Sequence, residues 1–183
     1  LGMKSNEHEY KVMGLAPYAS EYIIKKPLEI FRETAFVDGL EIKFKFKPQD
    51  IYFYFKEKLE PYRFDGIAGA LQKYTEEIIC QWVINAVEQT GVKNIMFTGG
   101  VAMNIKAMME LTKLPQVNSL WVGASSSDEC LSMGVLMQDN HLRGIPVKKL
   151  ENVYLGREYD EKEILEYIKT NKFNEKYHII PNP

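Results

Sequence analysis

Apolar runs long enough to cross a membrane are absent: no stretch of these 183 residues approaches the ~18 consecutive apolar residues of a spanning helix. The opening LGMKSNEHEYK also has no apolar stretch of the kind a secretory leader carries. Cysteine is scarce. Cys80 and Cys130 stand 50 residues apart, which is neither a CxxC metal pair nor a disulfide framework and fits a reducing compartment. A soluble, cytoplasmic protein with no membrane partner is therefore expected. Excess charge is missing as well, with 23 basic against 25 acidic side chains and a net charge of −2. No global positive field draws the chain onto nucleic acid, which is not expected as a partner, although local patches stay open. Internal repeats and low-complexity tracts are absent.

What is present belongs to a folded globular protein: 45% hydrophobic and 26% charged residues, with Gly 12 and Pro 8. The length suits one domain or slightly more and excludes two large enzymatic domains. The chain opens at Leu1 without an initiator Met and stops at IIPNP, so it is expected to be a piece of a longer polypeptide.

Along the chain, Gly2, Gly14 and Pro17 interrupt periodicity in the first 26 residues, and MGLAPYA reads as a turn that presents backbone beside a short helix. Pro27 before LEIFRET predicts a short helix with proline in its first turn. AFVDGLEIKFKFK alternates apolar and charged residues about Asp38-Gly39, a hairpin signal. Its second arm, Leu40, Ile42, Phe44 and Phe46, is expected to bury one face. The spacing of Ile67, Leu71, Tyr74, Ile78, Trp82, Val83 and Ala86 predicts a helix over about 65–90, with Asp65 as N-cap and Gly91 as its stop. NIMFT, VAMNIKAMMELTK, SLWVG and SDECLSMGVLMQDN then read as strand, helix, strand, helix, which implies a parallel strand pair. From residue 142 a linker leads to EYDEKEILEYIKTNKF, an amphipathic helix with Ile164, Leu165 and Ile168 on its apolar side.

Two loops carry the chemistry. In residues 98–104, TGGVAMN, a strand ends in Gly99-Gly100 and a helix follows at once. Glycine admits a ligand close to the backbone, and a helix start offers free N–H groups and partial positive charge to a phosphate. The plain alternative is that the pair only makes a tight turn. Placement beside a second loop at the strand C-termini favours ligand binding, since ligands sit at that edge of parallel sheets. The second loop, residues 123–130, holds Ser127 and Asp128, either of which could simply be an N-cap. Alternatively, Asp128 offers a hard oxygen to a metal held between the loops. Cys130 near a helix start lacks a neighbouring histidine and, like Cys80, reads as a small buried residue. His8, within the charged cluster of Glu7, Glu9 and Lys11, reads as a residue of a solvated loop, and His141 and His178 as surface residues.

Taken in order, residues 9–18 (EYKVMGLAPY), 98–104 (TGGVAMN), 126–134 (SSDECLSMG) and 151–159 (ENVYLGREY) resemble the carbamoyltransferase family, which includes nodulation and antibiotic O-carbamoyltransferases. The match spans most of the chain, and residues 20–60 or so carry none of it. The resemblance implies an α/β fold, part of an actin-like (ribonuclease H-like) ATPase domain with a short, mostly parallel sheet flanked by helices and a hairpin insertion. Residues 1–141 would be the later half of that domain, and 142–183 a linker and small helix toward a YrdC-like domain. In the family, the YrdC-like domain makes carbamoyl-adenylate from carbamoyl phosphate and ATP. The actin-like domain passes the carbamoyl group to a substrate hydroxyl, assisted by a divalent metal or iron. By motif, Asp128 matches the metal-binding aspartate, and Gly99, Gly100 and Asn104 match the segment that meets the nucleotide. Lys11 and Gly14 lie in the run lining the nucleotide side. Glu129 and Cys130 depart from the small residues usual after that aspartate. The family's histidine metal ligands are expected upstream of Leu1, so the fragment alone is expected to be inactive. The expected small-molecule partner is a hydroxyl acceptor of unread identity, and a homodimer is left open. Two other readings use the same residues: a phosphotransferase of the same superfamily, and a non-catalytic nucleotide-binding or dimerisation module.

Overall fold

The computed structural model describes residues 2–4, 7–123, 125–147, 152, 154 and 156–171. In chain order these form α1 (Glu9–Leu15), α2 (Glu21–Thr34), β1 (Ala35–Asp38), β2 (Glu41–Phe44), α3 (Ile51–Leu59), α4 (Phe64–Thr90), β3 (Asn94–Phe97), α5 (Ile105–Thr112), β4 (Ser119–Val122), α6 (Cys130–Leu142) and α7 (Glu161–Thr170). Short 3-10 turns occupy Ala16–Tyr18 and Gly100–Met103. The chain is thus α/β, as expected, with an antiparallel pair β1–β2 and a parallel pair β3–β4. Two units separate by contact, Leu1–Ile145 and Pro146–Pro183. Among the described residues no helix is long and apolar enough to cross a membrane.

Helix α4 organises the first unit. Its 27 residues, about 40 Å at 1.5 Å per residue, contain no proline and end where predicted, at Gly91. There φ is 71° and the Gly91 N–H donates to the Val87 carbonyl at 2.8 Å. The start differs from expectation. Arg63 holds the N-cap position, and Asp65 lies inside the first turn, where it accepts from the Gly66 N–H at 2.9 Å and takes a forked hydrogen bond from Arg63. A carboxylate in the first turn still complements the helix dipole, which is why the residue type suggests a cap. The Arg63 guanidinium holds the Asp65 carboxyl below its ordinary range.

Two apolar clusters sit at successive levels of α4. Ile67 and Ala70 meet Ile24, Leu28 and Phe31 of α2 and Leu59 of α3, whereas Ile79, Val83 and Val87 meet Met108 and Leu111 of α5. The close approach of α2 is a matter of size. A Cβ on Gly69 would stand 2.6 Å from the Ala19 Cβ and 2.7 Å from Ile24 Cγ2, so only glycine fits there. Pro27 lies in the middle of the 14-residue α2 and not in its first turn. Lacking an N–H, it cannot bond the Ile23 carbonyl one turn back. That carbonyl faces Gly66, 3.1 Å from where a Cβ would be. The packing of Ile24, Leu28 and Phe31 against α4 keeps α2 continuous through the proline. Arg32 also donates from Nε to Glu77 Oε2 at 2.8 Å, a half-exposed pair worth at most about 1 kcal/mol.

The hairpin forms as expected, in the register Ala35↔Phe44 to Asp38↔Glu41. Its attachment has no counterpart in the sequence pattern. Tyr74, Trp82 and Asn85 of α4 donate side-chain hydrogen bonds to the backbone carbonyls of Ala35, Leu40 and Gly39, at 2.9, 2.9 and 2.8 Å. The second arm does not bury a face: Leu40, Ile42, Phe44 and Phe46 are all exposed. Polar tethers from α4 reach the turn and first strand and leave the apolar side chains of the second strand uncovered. Helix α3, not expected from the sequence, starts at Asp50, whose carboxylate accepts from the Phe53 N–H at 3.0 Å. In the second unit, α7 carries a complete capping box between Asp160 and Glu163, with Leu165 and Ile168 half-buried and Ile164 exposed. Residues 172 and 173 of the predicted helical segment lie outside the described residues.

One substitution made at two glycines has opposite signs. Gly69→Ala forces α2 and α4 apart and is expected to destabilise by about 1–3 kcal/mol. Gly134→Ala in α6 meets open space and is expected to stabilise by about 0.5–1 kcal/mol. Urea denaturation followed by circular dichroism measures both.

Candidate functional site

Strands β3 and β4 pair in parallel in the register Asn94↔Ser119 to Phe97↔Val122, so both chains leave the sheet at the same end. Alternation selects the buried side. Ile95, Phe97, Leu120 and Val122 pack against the α4–α5 cluster, while Met96 and Trp121 face outward. The two loops singled out in the sequence are joined directly, because the Gly99 N–H donates to the Ser126 carbonyl at 2.9 Å. Ser126 is buried, and its hydroxyl donates to the Gly123 carbonyl at 3.0 Å.

Gly99 has φ 99° and ψ 170°, a backbone state that side-chain-bearing residues rarely adopt, and both Gly99 and Gly100 have open space where a Cβ would stand. A helix does not follow at once, as the sequence suggests. A 3-10 turn runs through Gly100–Met103, and α5 begins only after Asn104, whose φ of −77° and ψ of 85° leave helical space. Asn104 is the cap of α5: its Oδ1 accepts from the Ala107 N–H at 3.1 Å. The first free N–H groups after Gly99 therefore belong to a tight turn, while the α5 N-terminus is already met by a side chain.

Asn104 also pairs with Gln72 of α4. Gln72 Nε2 donates to Asn104 Oδ1 at 3.0 Å, Asn104 Nδ2 donates to Gln72 Oε1 at 2.9 Å, and Gln72 Nε2 also reaches Glu76 Oε1 at 2.9 Å. Gln72 is 8% exposed, so its amide is bonded to protein and not to bulk water. Sequence reasoning misses this residue. A signal exists, since Gln72 lies four residues after buried Ala68 and seven before buried Ile79, on a face that continues through Thr75 and Glu76, so polar residues stand between two apolar levels of the helix.

Beside this pair lies a cleft of about 350 Å³ between α1, α4 and the Gly-Gly turn. Tyr10 and Met13 of α1, Leu71 and Gln72 of α4, and Gly100 and Met103 of the turn form its walls. No lining side chain among the described residues is basic, and Glu9 is acidic. The cleft therefore suits the uncharged part of a ligand. Anionic groups would find a donor at its rim in the Gly100 N–H, since the Gly99 N–H is taken by the Ser126 carbonyl.

Of the five residues assigned to the nucleotide, Gly100 and Asn104 line the cleft and Gly99 opens its turn. Lys11 and Gly14 sit on α1 but face solvent outside the lining. The run MGLAPY is not a turn that presents backbone: it completes α1 and passes into a 3-10 turn, so its N–H groups bond within the helix. Asp128 is exposed in the turn before α6. Neither Ser127 nor Asp128 caps that helix by side chain. Glu129 occupies the cap position with helical angles, and the Cys130 N–H bonds the Ser127 carbonyl at 3.1 Å. Among the described residues, no three His, Cys, Asp or Glu gather closely enough to hold a metal. The described residues thus do not by themselves fit a metal centre, and Asp128 could serve only with donors from outside them. His8 Nδ1 accepts from the Lys4 N–H at 3.1 Å, His141 is exposed near the end of α6, and His178 lies outside the described residues. Cys80 is half-buried against the core, and burial, with Glu110 and Glu76 adding, pushes its thiol up, away from nucleophilic use.

Comparison with known proteins matches residues 1–136 to the family described as Carbamoyltransferase N-terminus. An uncharacterised protein of Methanocaldococcus jannaschii is 29% identical over 96% of this chain and 34% of its own length. An uncharacterised protein of Synechocystis is 26% identical over 92% of this chain and 31% of its own length. The nodulation protein NolNO of Sinorhizobium fredii is 29% identical over 81% of this chain and 23% of its own length. The chain spans about a third or less of the length of the curated relatives it matches.

Asn104→Ala removes a helix cap and leaves the buried Gln72 Oε1 without its donor. It is expected to cost about 2–4 kcal/mol of stability, read from the urea midpoint at constant slope.

Proposed function

Because the chain belongs to the carbamoyltransferase N-terminus family, we propose that it supplies the nucleotide side of the transfer site in an O-carbamoyltransferase. The supporting observation is the joining of the two strand-end loops through the Gly99 N–H and Ser126 carbonyl, beside a largely apolar cleft. In this reading the fold is part of an actin-like ATPase domain, residues 1–141 form its later half, and residues 142–183 lead toward a YrdC-like domain.

The substrate is carbamoyl-adenylate, formed from carbamoyl phosphate and ATP elsewhere in the whole protein. An acceptor hydroxyl attacks the carbamoyl carbon, the bond to the adenylate oxygen breaks, AMP leaves, and the hydroxyl proton is released. The Gly100 N–H, at the start of the turn that the Gly99–Ser126 bond holds, meets the departing phosphate, where stabilising negative charge lowers the barrier. The cleft wall of Tyr10, Met13, Leu71 and Met103 excludes water from the uncharged part of the nucleotide. Lys11 and Gly14, on the solvent side of α1, stand outside this wall. A divalent metal or iron, when bound, polarises the reacting oxygen. Asp128 is its one ligand from this chain, with the remaining donors supplied by the rest of the protein.

Three outcomes are separated by incubating the full-length protein with ATP, carbamoyl phosphate and a panel of hydroxyl compounds, with products weighed by mass spectrometry. A carbamoylated acceptor supports the proposal, and a phosphorylated one indicates a kinase of the same superfamily. No product together with no ATP or AMP binding by calorimetry leaves a purely structural module. In the same calorimeter Gly100→Val, which places a branched side chain over the turn, is expected to abolish nucleotide binding at this cleft and to leave binding where the adenylate is formed. Asp128→Asn is expected to lower the metal content of the full-length protein by elemental analysis, and unchanged content removes Asp128 from the site.

A further inference from the structure

The geometry points to Gln72 as the positioning residue of the nucleotide site, an inference that rests on the nucleotide reading of the cleft given above. Gln72 comes from the first third of α4, 32 residues before its partner, and is 8% exposed. A primary amide carries both a donor and an acceptor, and Asn104 carries the same pair, so the two side chains close a reciprocal two-bond ring at 2.9 and 3.0 Å. Asn104 is also the residue at which the 3-10 turn ends and α5 begins. The chain between Gly99 and Asn104 is held at one end by the Ser126 carbonyl and at the other by Gln72.

With both ends fixed, the four residues Gly100–Met103 have little freedom, and the Gly100 N–H at the open start of the turn keeps one direction before a ligand arrives. A pre-set donor array loses less freedom on binding and so binds more tightly. The third bond of Gln72, from Nε2 to Glu76 Oε1, fixes the amide orientation so that its oxygen, and not its nitrogen, meets Asn104 Nδ2. Its amide meets Glu76 and Asn104, so an apolar residue at this place would forfeit these bonds. The amide therefore serves register: it sets where the turn sits along α4, which packing of Leu71 and Met103 alone leaves loose.

Gln72→Met in the full-length protein keeps the side-chain length and removes all three hydrogen bonds. Its dissociation constant for ATP at this cleft, the binding event that Gly100→Val removes, is expected to rise about tenfold or more. With ATP and carbamoyl phosphate saturating, kcat for carbamoyl transfer is expected to fall by less than the affinity does, since Gln72 acts on the turn through Asn104. A merely structural role would instead lower kcat and the calorimetric stoichiometry together, with the dissociation constant of the folded fraction unchanged, and that result overturns the inference. Double-mutant analysis with Asn104→Ala gives a second reading: the two losses in ATP affinity are expected to be far from additive, and additive losses count against the pair. Should Gln72→Met fail to fold, Gln72→Glu, which accepts from Asn104 Nδ2 but cannot donate to its Oδ1, takes its place with the same expected loss of affinity. Gly100→Val separates the two levels. Loss of ATP binding in Gly100→Val with wild-type affinity in the Gln72 variants overturns this inference alone, whereas unchanged binding in Gly100→Val overturns the nucleotide reading itself.

Discussion

Everything in the first unit hangs on the contact surface of α4. A 27-residue helix offers a different face at each level, and here each level has its own partner: α2 and α3 near the start, the hairpin along one side, α5 and the parallel strands near the end. The constraint is sharpest at Gly69, where α2 and the turn before it approach too closely for any Cβ, and Gly66 leaves little more room. Because apolar burial is proportional to area removed from water, two modest clusters on one rod substitute for a single large core. The rod thereby fixes the distance between α1, which packs against α4, and the Gly-Gly turn, which α4 meets through Gln72. The candidate cleft is the gap between them.

The parallel pair works in the same way at smaller scale. Two parallel strands alone are marginal, and these are held by Ile95, Phe97, Leu120 and Val122 packing on the α4–α5 cluster. In-register parallel pairing is what brings both loops to one edge. The Gly99 to Ser126 hydrogen bond then locks loop to loop, so a turn that glycine makes permissive becomes fixed. Freedom for a ligand to approach and rigidity of the donors are usually in conflict. Here the missing side chains give the first, and bonds at both ends of the turn give the second.

Local features of the fold are legible in the residues themselves. The step of three and four from Ile67 to Ala86 marks α4, Asp38-Gly39 marks the hairpin, and the strand–helix–strand order marks the parallel pair. Expectation fails where a local signal has a distant competitor. Asp65 has the chemistry of a cap, yet the helix begins at Phe64 because that turn packs and Arg63 holds the carboxylate. Pro27 has the chemistry of a helix start, yet α2 runs through it on the strength of its contact with α4. Met13-Gly14-Leu15 has the composition of a turn, yet it is helical where α1 lies against α4.

The candidate site divides along the same line. Sequence by itself determined which residues could make it: Gly99 and Gly100, because paired glycines at a strand end leave the backbone open to a ligand, and Asp128, because a carboxylate after serines at a strand end is a donor in search of a charge. Only the tertiary structure decided what surrounds them. It placed Gln72 against Asn104 across 32 residues, left Lys11 and Gly14 outside the cleft, and kept Asp128 at the surface. The reason is one of range. Propensity, capping and turn chemistry act over four residues or so, and a motif records them. A hydrogen bond between distant segments depends on how two helices pack, and the packing is set by the summed burial of many side chains, no one of which carries the pairing in its own neighbourhood of sequence.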